Sequence, residues 1–174
     1  SSVTFEFTPA SLDDDNYKVK VRATDNSGNV GASKVYTMVI DRLPPDVGQS
    51  FFSLGPQPLF PDSNGVVTVL EGLDQKITLS LVGGPITVDV VSIIQSSVVS
   101  RQTKNNLKAD SEAYLRADRS QMFSLVKNTD NGLWSGILNF EKSGTYSLEV
   151  NSLDGAGNTS KRTLHSVTVL PQGI

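Results

Sequence analysis

Few side chains in this sequence have the type and spacing that catalysis requires. The 174 residues include no cysteine and a single histidine, His165, which leaves no thiolate metal site, no cysteine nucleophile and little material for His-based acid–base chemistry. His165 lies in a predicted strand without a spaced acid partner. Asp13–Asp15 are adjacent in one turn, whereas glycosidases need two carboxylates facing each other across a cleft. We therefore predict that the chain is not an enzyme and has no organic cofactor.

The composition also limits the kinds of partner that the chain is expected to bind. Hydrophobic residues make up 37% of the chain and charged residues 19%, a balance that allows a buried core. The net charge of −3 argues against nucleic-acid binding, which needs a basic surface. No apolar run is long enough to predict membrane insertion. The first residues contain no apolar leader, and we expect the chain to be a piece of a longer protein.

The hydropathy pattern predicts an all-β chain. Short alternating apolar runs are separated by clusters of Gly, Pro, Asn and Asp. In 17–23 the apolar residues alternate with Lys and Arg, which is typical of a half-buried antiparallel strand. A short helix and a polar hairpin both remain open for 102–121. Further strands are predicted at 34–40, 66–70, 75–82, 86–94, 121–127, 133–140, 145–152 and 162–170.

An internal repeat is the most informative feature of the sequence. Four residues recur without a gap at a constant spacing of 129 positions: Tyr17, Asp25, Gly28 and Asn29 match Tyr146, Asp154, Gly157 and Asn158. Many predicted strands precede the second copy, and almost none precede the first. We predict the last strands of an incomplete domain at 1–44, a Pro-rich linker at 45–49, and a complete domain at 50–172 in which 95–121 is a candidate insertion.

The residues around the repeat resemble the closing strands of bacterial immunoglobulin-like repeats. The resemblance lies in Tyr17-Lys-Val-Lys-Val-Arg-Ala-Thr-Asp-Asn-Ser-Gly-Asn29 and in Gly144-Thr-Tyr-Ser-Leu-Glu-Val-Asn-Ser-Leu-Asp-Gly-Ala-Gly-Asn158. Such repeats are cadherin- or fibronectin-III-like sandwiches in large secreted or surface proteins. The resemblance implies an immunoglobulin-like antiparallel β-sandwich, an extracellular or cell-surface location, and neighbouring domains of the same parent protein as partners.

Five residues are expected to hold this fold together. Tyr17 and Tyr146 each follow a turn at the start of a strand, where a tyrosine corner bonds its hydroxyl to the preceding backbone. Gly28 and Gly157 are expected to supply positive φ in the turns after these strands. Trp134 is expected in the core, and a solvent-facing ring that stacks on sugars is the alternative.

Carboxylates are concentrated near the junction that the resemblance predicts. In such a sandwich the turn before strand F and the end of strand G share one pole, and the next domain presents its F–G turn towards that pole. Calcium takes six to eight oxygen ligands, so a calcium site is one interpretation, and solvated acidic turns are the other. The candidate ligands are Asp13, Asp14, Asp15, Asp41, Asp46 and Asp154.

Two functions from different classes remain open. The first is a non-catalytic spacer or adhesion-type module of a larger extracellular bacterial protein. The alternative is a carbohydrate-binding or substrate-contacting accessory domain of a secreted polysaccharide-active enzyme, which would need exposed aromatic rings. The predicted apolar face of 1–44 lacks an opposing sheet, so we also expect it to pair in trans, with a second copy or with a fragment that carries the missing strands.

Overall fold

The computed structural model describes residues 6, 8, 11–96 and 120–172, and every regular element in this part of the chain is a β-strand. No helix there is long and apolar enough to cross a membrane. The chain divides into two compact units, Ser1–Leu43 and Pro44–Ile174, called unit 1 and unit 2 below. The predictions for 102–121, except at its last two positions, and for most of the candidate insertion lie outside the described residues.

Unit 1 contains one interrupted β-hairpin within its described residues. Its strands are β1 (Asp15–Val19), β2 (Arg22–Thr24), β3 (Val30–Ala32) and β4 (Tyr36–Ile40). β1 pairs antiparallel with β4, and β2 pairs antiparallel with β3. The predicted strand 17–23 is therefore broken after Val19. The Val21 N–H donates to the Ser33 hydroxyl at 2.9 Å instead of to a strand carbonyl.

Unit 2 is a sandwich of two five-stranded sheets. Its strands are β5 (Asp46–Leu54), β6 (Gln57–Leu59), β7 (Val66–Leu70), β8 (Asp74–Val82), β9 (Pro85–Ser96), β10 (Ser120–Ser124), β11 (Val126–Lys127), β12 (Trp134–Asn139), β13 (Gly144–Asp154) and β14 (Thr159–Leu170). The first sheet has the order β6-β5-β8-β12-β11, and the second has the order β7-β14-β13-β9-β10.

This strand order is that of an immunoglobulin-like sandwich, which confirms the predicted fold class. Such folds place strands A, B, E and D in one sheet and strands C, F and G in the other. Here β5, β8, β12 and β11 occupy the A, B, E and D positions, and β9, β13 and β14 occupy C, F and G. Among the described strands, β7 and β14 form the one parallel pair.

The core follows directly from strand alternation. Successive side chains of a strand point to opposite faces, and along β13 every second residue from Gly144 to Asp154 is buried. Ile77 and Leu79 are buried, and Leu81 packs against the same cluster. Side chains from both sheets form this core: Val47, Phe52, Val67, Val69, Ile77, Leu79, Val88, Val90, Leu125, Trp134, Leu138, Phe140, Tyr146, Leu148, Val150, Val167 and Val169.

The structure corrects the predicted linker at 45–49. β5 begins at Asp46, so residues 46–49 belong to the first strand of unit 2. Val47 is 2% exposed and lies in the core opposite Leu81, and Pro45 is buried. Consecutive prolines interrupt strand pairing, but they do not prevent the residues that follow them from entering a sheet.

The chain enters unit 2 at one end of the sandwich and leaves it at the other. Asp46, the first residue of β5, pairs with Val82, and Pro85 pairs with Asp154. The start of β5, the β8–β9 turn and the β13–β14 turn therefore share one end. β14 runs away from this end for 12 residues to Leu170, a length of about 40 Å at 3.3 Å per residue.

Candidate functional site

The carboxylate of Asp154 organises the turn between β13 and β14. Its Oδ1 accepts the backbone N–H groups of Ala156 at 2.9 Å and Asn158 at 2.8 Å, and its Oδ2 accepts the Asn158 side-chain amide at 2.9 Å. The Gly157 N–H donates to the Asp154 carbonyl, with Gly157 at φ 93°. Asp154 is 3% exposed. Both of its oxygens are thus engaged inside the protein.

The carboxylate of Asp25 makes the same bonds in unit 1. Its Oδ1 accepts the backbone N–H groups of Ser27 at 2.9 Å and Asn29 at 2.8 Å, and its Oδ2 accepts the Asn29 side-chain amide at 2.9 Å. Gly28 lies at φ 86°. The Asp-x-x-Gly-Asn motif that recurs in the sequence therefore forms the same turn in both units. In unit 1 this turn is exposed to solvent.

The two hairpins also share their register. A shift of one residue interrupts both at the same place, between β1 and β2 in unit 1 and between Ser147 and Glu149 in unit 2. Equivalent pairs are 129 positions apart: Asp15↔Ile40 and Gly144↔Val169, Tyr17↔Met38 and Tyr146↔Val167, Arg22↔Ala32 and Asn151↔Lys161. Unit 1 thus contains a hairpin equivalent to the one that forms strands F and G of unit 2.

The pKa values of the two turn aspartates are lowered for the same reason. Burial raises the pKa of Asp154, but the hydrogen bonds from Asn158, Ala156 and Gly157 outweigh burial and hold the pKa below its ordinary 3.8. The pKa of Asp25 is lowered chiefly by the side-chain and backbone hydrogen bonds from Asn29. Hydrogen bonds to an ionised carboxylate favour that form, so both turns are built around a charged aspartate.

Acid is expected to weaken unit 2 through Asp154. Because the folded pKa lies below the unfolded value, Asp154 stabilises the fold above its unfolded pKa, and this contribution is lost as pH falls through the folded pKa. From about pH 5 to about pH 2, the urea midpoint should therefore fall further in the wild type than in Asp154→Asn. Asp130→Asn, in an exposed turn, is the control and should behave as wild type. Equal acid sensitivity of Asp154→Asn and wild type would contradict this role.

Both predicted tyrosine corners are present. The Tyr146 hydroxyl donates to the Lys142 carbonyl at 2.7 Å, and the Tyr17 hydroxyl donates to the Asp13 carbonyl at 3.0 Å. The Tyr146 ring is 5% exposed and lies 4.9 Å from the Phe140 ring, centroid to centroid. Burial raises the pKa of Tyr146, so the phenol stays a hydrogen-bond donor at neutral pH.

Tyr146→Phe is expected to lower the free energy of unfolding of unit 2 by about 1–2 kcal/mol, because the part-buried hydrogen bond to the Lys142 carbonyl is lost while the ring remains. Urea unfolding followed by far-UV circular dichroism measures this change. Tyr17→Phe removes the equivalent bond in unit 1 and should leave the transition of unit 2 unchanged. A Tyr146→Phe variant as stable as the wild type would show that the corner does not stabilise the sandwich.

Three of the four calcium candidates of unit 1 bond within the protein through their carboxylates, and the fourth, Asp13, through its backbone carbonyl. Asp14 forms an ion pair with Arg42 at 2.6 Å and also accepts the Arg42 backbone N–H at 2.9 Å. Asp15 and Asp41 each accept the backbone N–H of a residue one or two positions later, at 2.7 and 3.1 Å. The Asp13 carbonyl belongs to the tyrosine corner. These bonds hold the hairpin and its ends together.

The two calcium candidates of unit 2 lie at the end where the chain enters. Asp46 forms an ion pair with Arg162 at 2.8 Å, and Arg162 also donates to the Val47 carbonyl at 2.7 Å. Asp154 is buried in its turn. Throughout residues 11–96 and 120–172, no three Asp, Glu, His or Cys side chains form a group that could hold a metal ion. The calcium site therefore stays a prediction.

Trp134 was a candidate for sugar stacking and His165 for acid–base chemistry, and both pack inside the sandwich or at its margin. Trp134 is 5% exposed in the core, with Leu79 as its strand partner, so its ring is not presented for sugar stacking. His165 is half-buried, with its ring 6.2 Å from the ring of Phe52 in an edge-on arrangement.

Sequence reasoning missed a polar concavity on the outer face of the second sheet, with a volume of about 440 Å³. Asp89, Asn151 and Lys161 lie side by side across three strands. Asp89 accepts the Ser124 hydroxyl at 2.5 Å. The residues come from distant segments, so only the strand register brings them together. The lining consists of Thr87, Asp89, Asn151, Ser152, Leu153, Thr159, Ser160 and Lys161.

No protein-family model matches the chain, and no curated protein matches it.

Proposed function

We propose that this chain is a non-catalytic structural module of a larger extracellular bacterial protein, and that it spaces or presents neighbouring domains. The observation that carries the proposal is the path of the chain through unit 2. The chain enters next to the β8–β9 turn and leaves after Leu170 at the opposite end. A domain inserted in this way adds its full length, about 40 Å, to the distance between its neighbours.

The duplicated hairpin supports the same function. Unit 1 repeats the F–G hairpin of unit 2 with the same register, the same tyrosine corner and the same aspartate turn. Duplication of a whole structural motif at constant spacing is typical of proteins built from tandem repeats. The neighbouring partners would then be further domains of the same parent protein, in a surface protein of the kind that the hairpin sequences resemble.

Electron microscopy of the full parent protein in negative stain tests the spacer function. We expect a rod in which successive domains lie about 40 Å apart. Deletion of residues 44–172 should shorten the rod by one such step without removing the densities at its ends. A parent protein in which these domains collapse into one compact body would contradict the proposal.

The polar concavity favours one second candidate, a carbohydrate-binding accessory domain. Asp89, Asn151 and Lys161 could donate and accept hydrogen bonds to sugar hydroxyls. No aromatic residue lines the concavity, and the exposed Phe51 belongs to β5 of the other sheet. A sugar would therefore lack the stacking surface that usually accompanies such bonds.

Affinity electrophoresis in gels that contain soluble polysaccharides distinguishes the two functions. The spacer function predicts that the wild type and Asp89→Ala migrate alike in every gel. Retardation of the wild type that Asp89→Ala abolishes would favour the accessory domain instead.

Calcium at the junction is part of the proposal only as a candidate cofactor. If it binds, millimolar calcium should raise the melting temperature relative to chelator, because a ligand bound by the native state stabilises it. Asp41→Ala should abolish that rise. Identical melts in calcium and in chelator would remove the cofactor and leave the spacer function intact.

A further inference from the structure

One face of the unit 1 hairpin is exposed although the same face in unit 2 is buried. Val19 and Val21 are 37% and 57% exposed, whereas their equivalents Leu148 and Val150 are 0% and 1% exposed. The neighbouring Tyr17 is half-buried, and its equivalent is 5% exposed. The face thus carries apolar residues at positions that belong to a core, but the described residues of unit 1 supply no sheet that packs against it.

The edges of the same hairpin are also unpaired among the described residues. β1 and β4 form a two-stranded sheet, whereas their equivalents β13 and β14 lie between β9 and β7 in a five-stranded sheet. An unpaired strand edge presents a row of N–H and C=O groups that another strand can bind. An apolar face and two edges that are unpaired among the described residues of one hairpin require a set of strands, because no single side chain or small ligand covers a face and an edge together.

Unit 2 shows which strands cover the equivalent hairpin, β13–β14. β9 pairs with β13 along its length, and the opposing sheet buries the hairpin face with Ile77, Leu79 and Leu138 among its core residues. The partner of unit 1 is therefore a set of strands with the apolar inner face of β5, β8 and β12, together with an edge strand equivalent to β9.

The chain path shows where these strands attach. In unit 2 the covering strands all precede β13, and the chain reaches Tyr146 from β12 through Lys142, whose carbonyl accepts the tyrosine hydroxyl. In unit 1 the equivalent bond joins Tyr17 to Asp13. Unit 1 therefore already contains the tyrosine corner that joins strand E to strand F. The strand E of unit 1 must come before this corner in the chain.

We propose that unit 1 is completed by a segment of the parent polypeptide that precedes Asp13 and supplies the strands equivalent to β5, β8, β9 and β12. Unit 1 is then the closing hairpin of a second immunoglobulin-like sandwich, and its exposed apolar face is the docking surface for that segment. This inference rests on the two hairpins and not on the proposed spacer function.

A covalent extension tests the proposal. Residues 44–141 of unit 2 are fused in front of Asp13, which gives the unit 1 hairpin the strands that it is expected to need. Hydrogen exchange at the backbone amides of β1 and β2 should slow by about tenfold or more relative to the unextended chain, and binding of a hydrophobic dye should fall. Unit 2 serves as the internal reference. Exchange in β1 and β2 that the extension leaves unchanged would overturn the proposal.

Two substitutions within the extended chain separate docking from a general effect. Val21→Asp places a charge on the inner face and should restore fast exchange in β1 and β2. Lys20→Asp changes the adjacent residue on the opposite face and should leave the protection intact. Loss of protection in both variants, or in neither, would overturn the assignment of the docking face.

Light scattering and hydrogen exchange on the unextended chain test the other occupants. We expect a chain whose β1 and β2 amides exchange fast. A dimer with these amides protected would overturn the proposal in favour of a second copy. A monomer with these amides protected would overturn it in favour of packing within the chain.

Discussion

Trp134→Ala is expected to lower the free energy of unfolding of unit 2 by about 3–5 kcal/mol, the cost of removing a large aromatic side chain from a core. Trp134 is the first residue of β12 and is 5% exposed. Its removal leaves a cavity that rigid strands on both sides cannot fill. Urea unfolding followed by far-UV circular dichroism measures the loss.

A matched control for this substitution lies on the same strand. Ile137 is 52% exposed, so Ile137→Ala should change stability by no more than about 0.5 kcal/mol. If Trp134→Ala were as stable as Ile137→Ala, the tryptophan would not be part of the core, and a role in sugar stacking would have to be reconsidered.

Gly83→Ala is expected to destabilise unit 2 by about 2–4 kcal/mol, for two reasons that add. Gly83 lies at φ 79° in the β8–β9 turn, a conformation that residues with a Cβ adopt only under strain. An added Cβ would also lie 2.9 Å from the Pro45 Cα and 3.3 Å from the Pro44 carbonyl oxygen. These are backbone atoms, so neither can rotate away.

Gly84→Ala separates the two reasons. Gly84 also has a positive φ, 60°, but an added Cβ there meets nothing within 4 Å. Its substitution should cost about 1–2 kcal/mol, from backbone conformation alone. Equal losses for the two variants would show that the chain at Pro44 and Pro45 moves away without cost. A larger loss for Gly83→Ala would show that these prolines are fixed against the turn.

Much of the sandwich could be predicted because its central strands have simple patterns. The alternation from Tyr146 to Ser152 is unbroken, and the structure places these residues within β13, alternately buried and half-buried. The repeat at constant spacing also located both hairpins, because a tyrosine corner and an aspartate turn depend on short-range contacts. Local chemistry of this kind is visible in a sequence.

The elements that were missed depend on distant partners. β5 was assigned in part to a linker because Pro44 and Pro45 dominated the local pattern, while the burial of Val47 depends on β8. The parallel pairing of β7 with β14 joins residues about 100 positions apart along the chain, and no local signal marks it. The polar concavity was missed for the same reason, since its residues meet only through strand register.

One missed feature did have a local signal. Asp62 precedes β7, and its Oδ1 accepts the backbone N–H groups of Asn64 at 2.8 Å and Val66 at 2.9 Å, with Gly65 at φ 76°. Asp62-Ser-Asn-Gly65 has the same Asp-x-x-Gly spacing as the turns of the two hairpins. The spacing predicts the turn even where no tyrosine precedes it.

The path of the chain through unit 2 also determines how the domain would respond to mechanical force. A pull on the two ends acts on the first residue of β5 at one end of the sandwich and on the last residue of β14 at the other. Both strands are then drawn along their own axes, so the bonds from β5 to β8 and from β14 to β13 and β7 are loaded together, in shear, rather than opened one at a time. Forced unfolding is governed by the unfolding rate, and a geometry that requires many bonds to break at once keeps that rate low under tension.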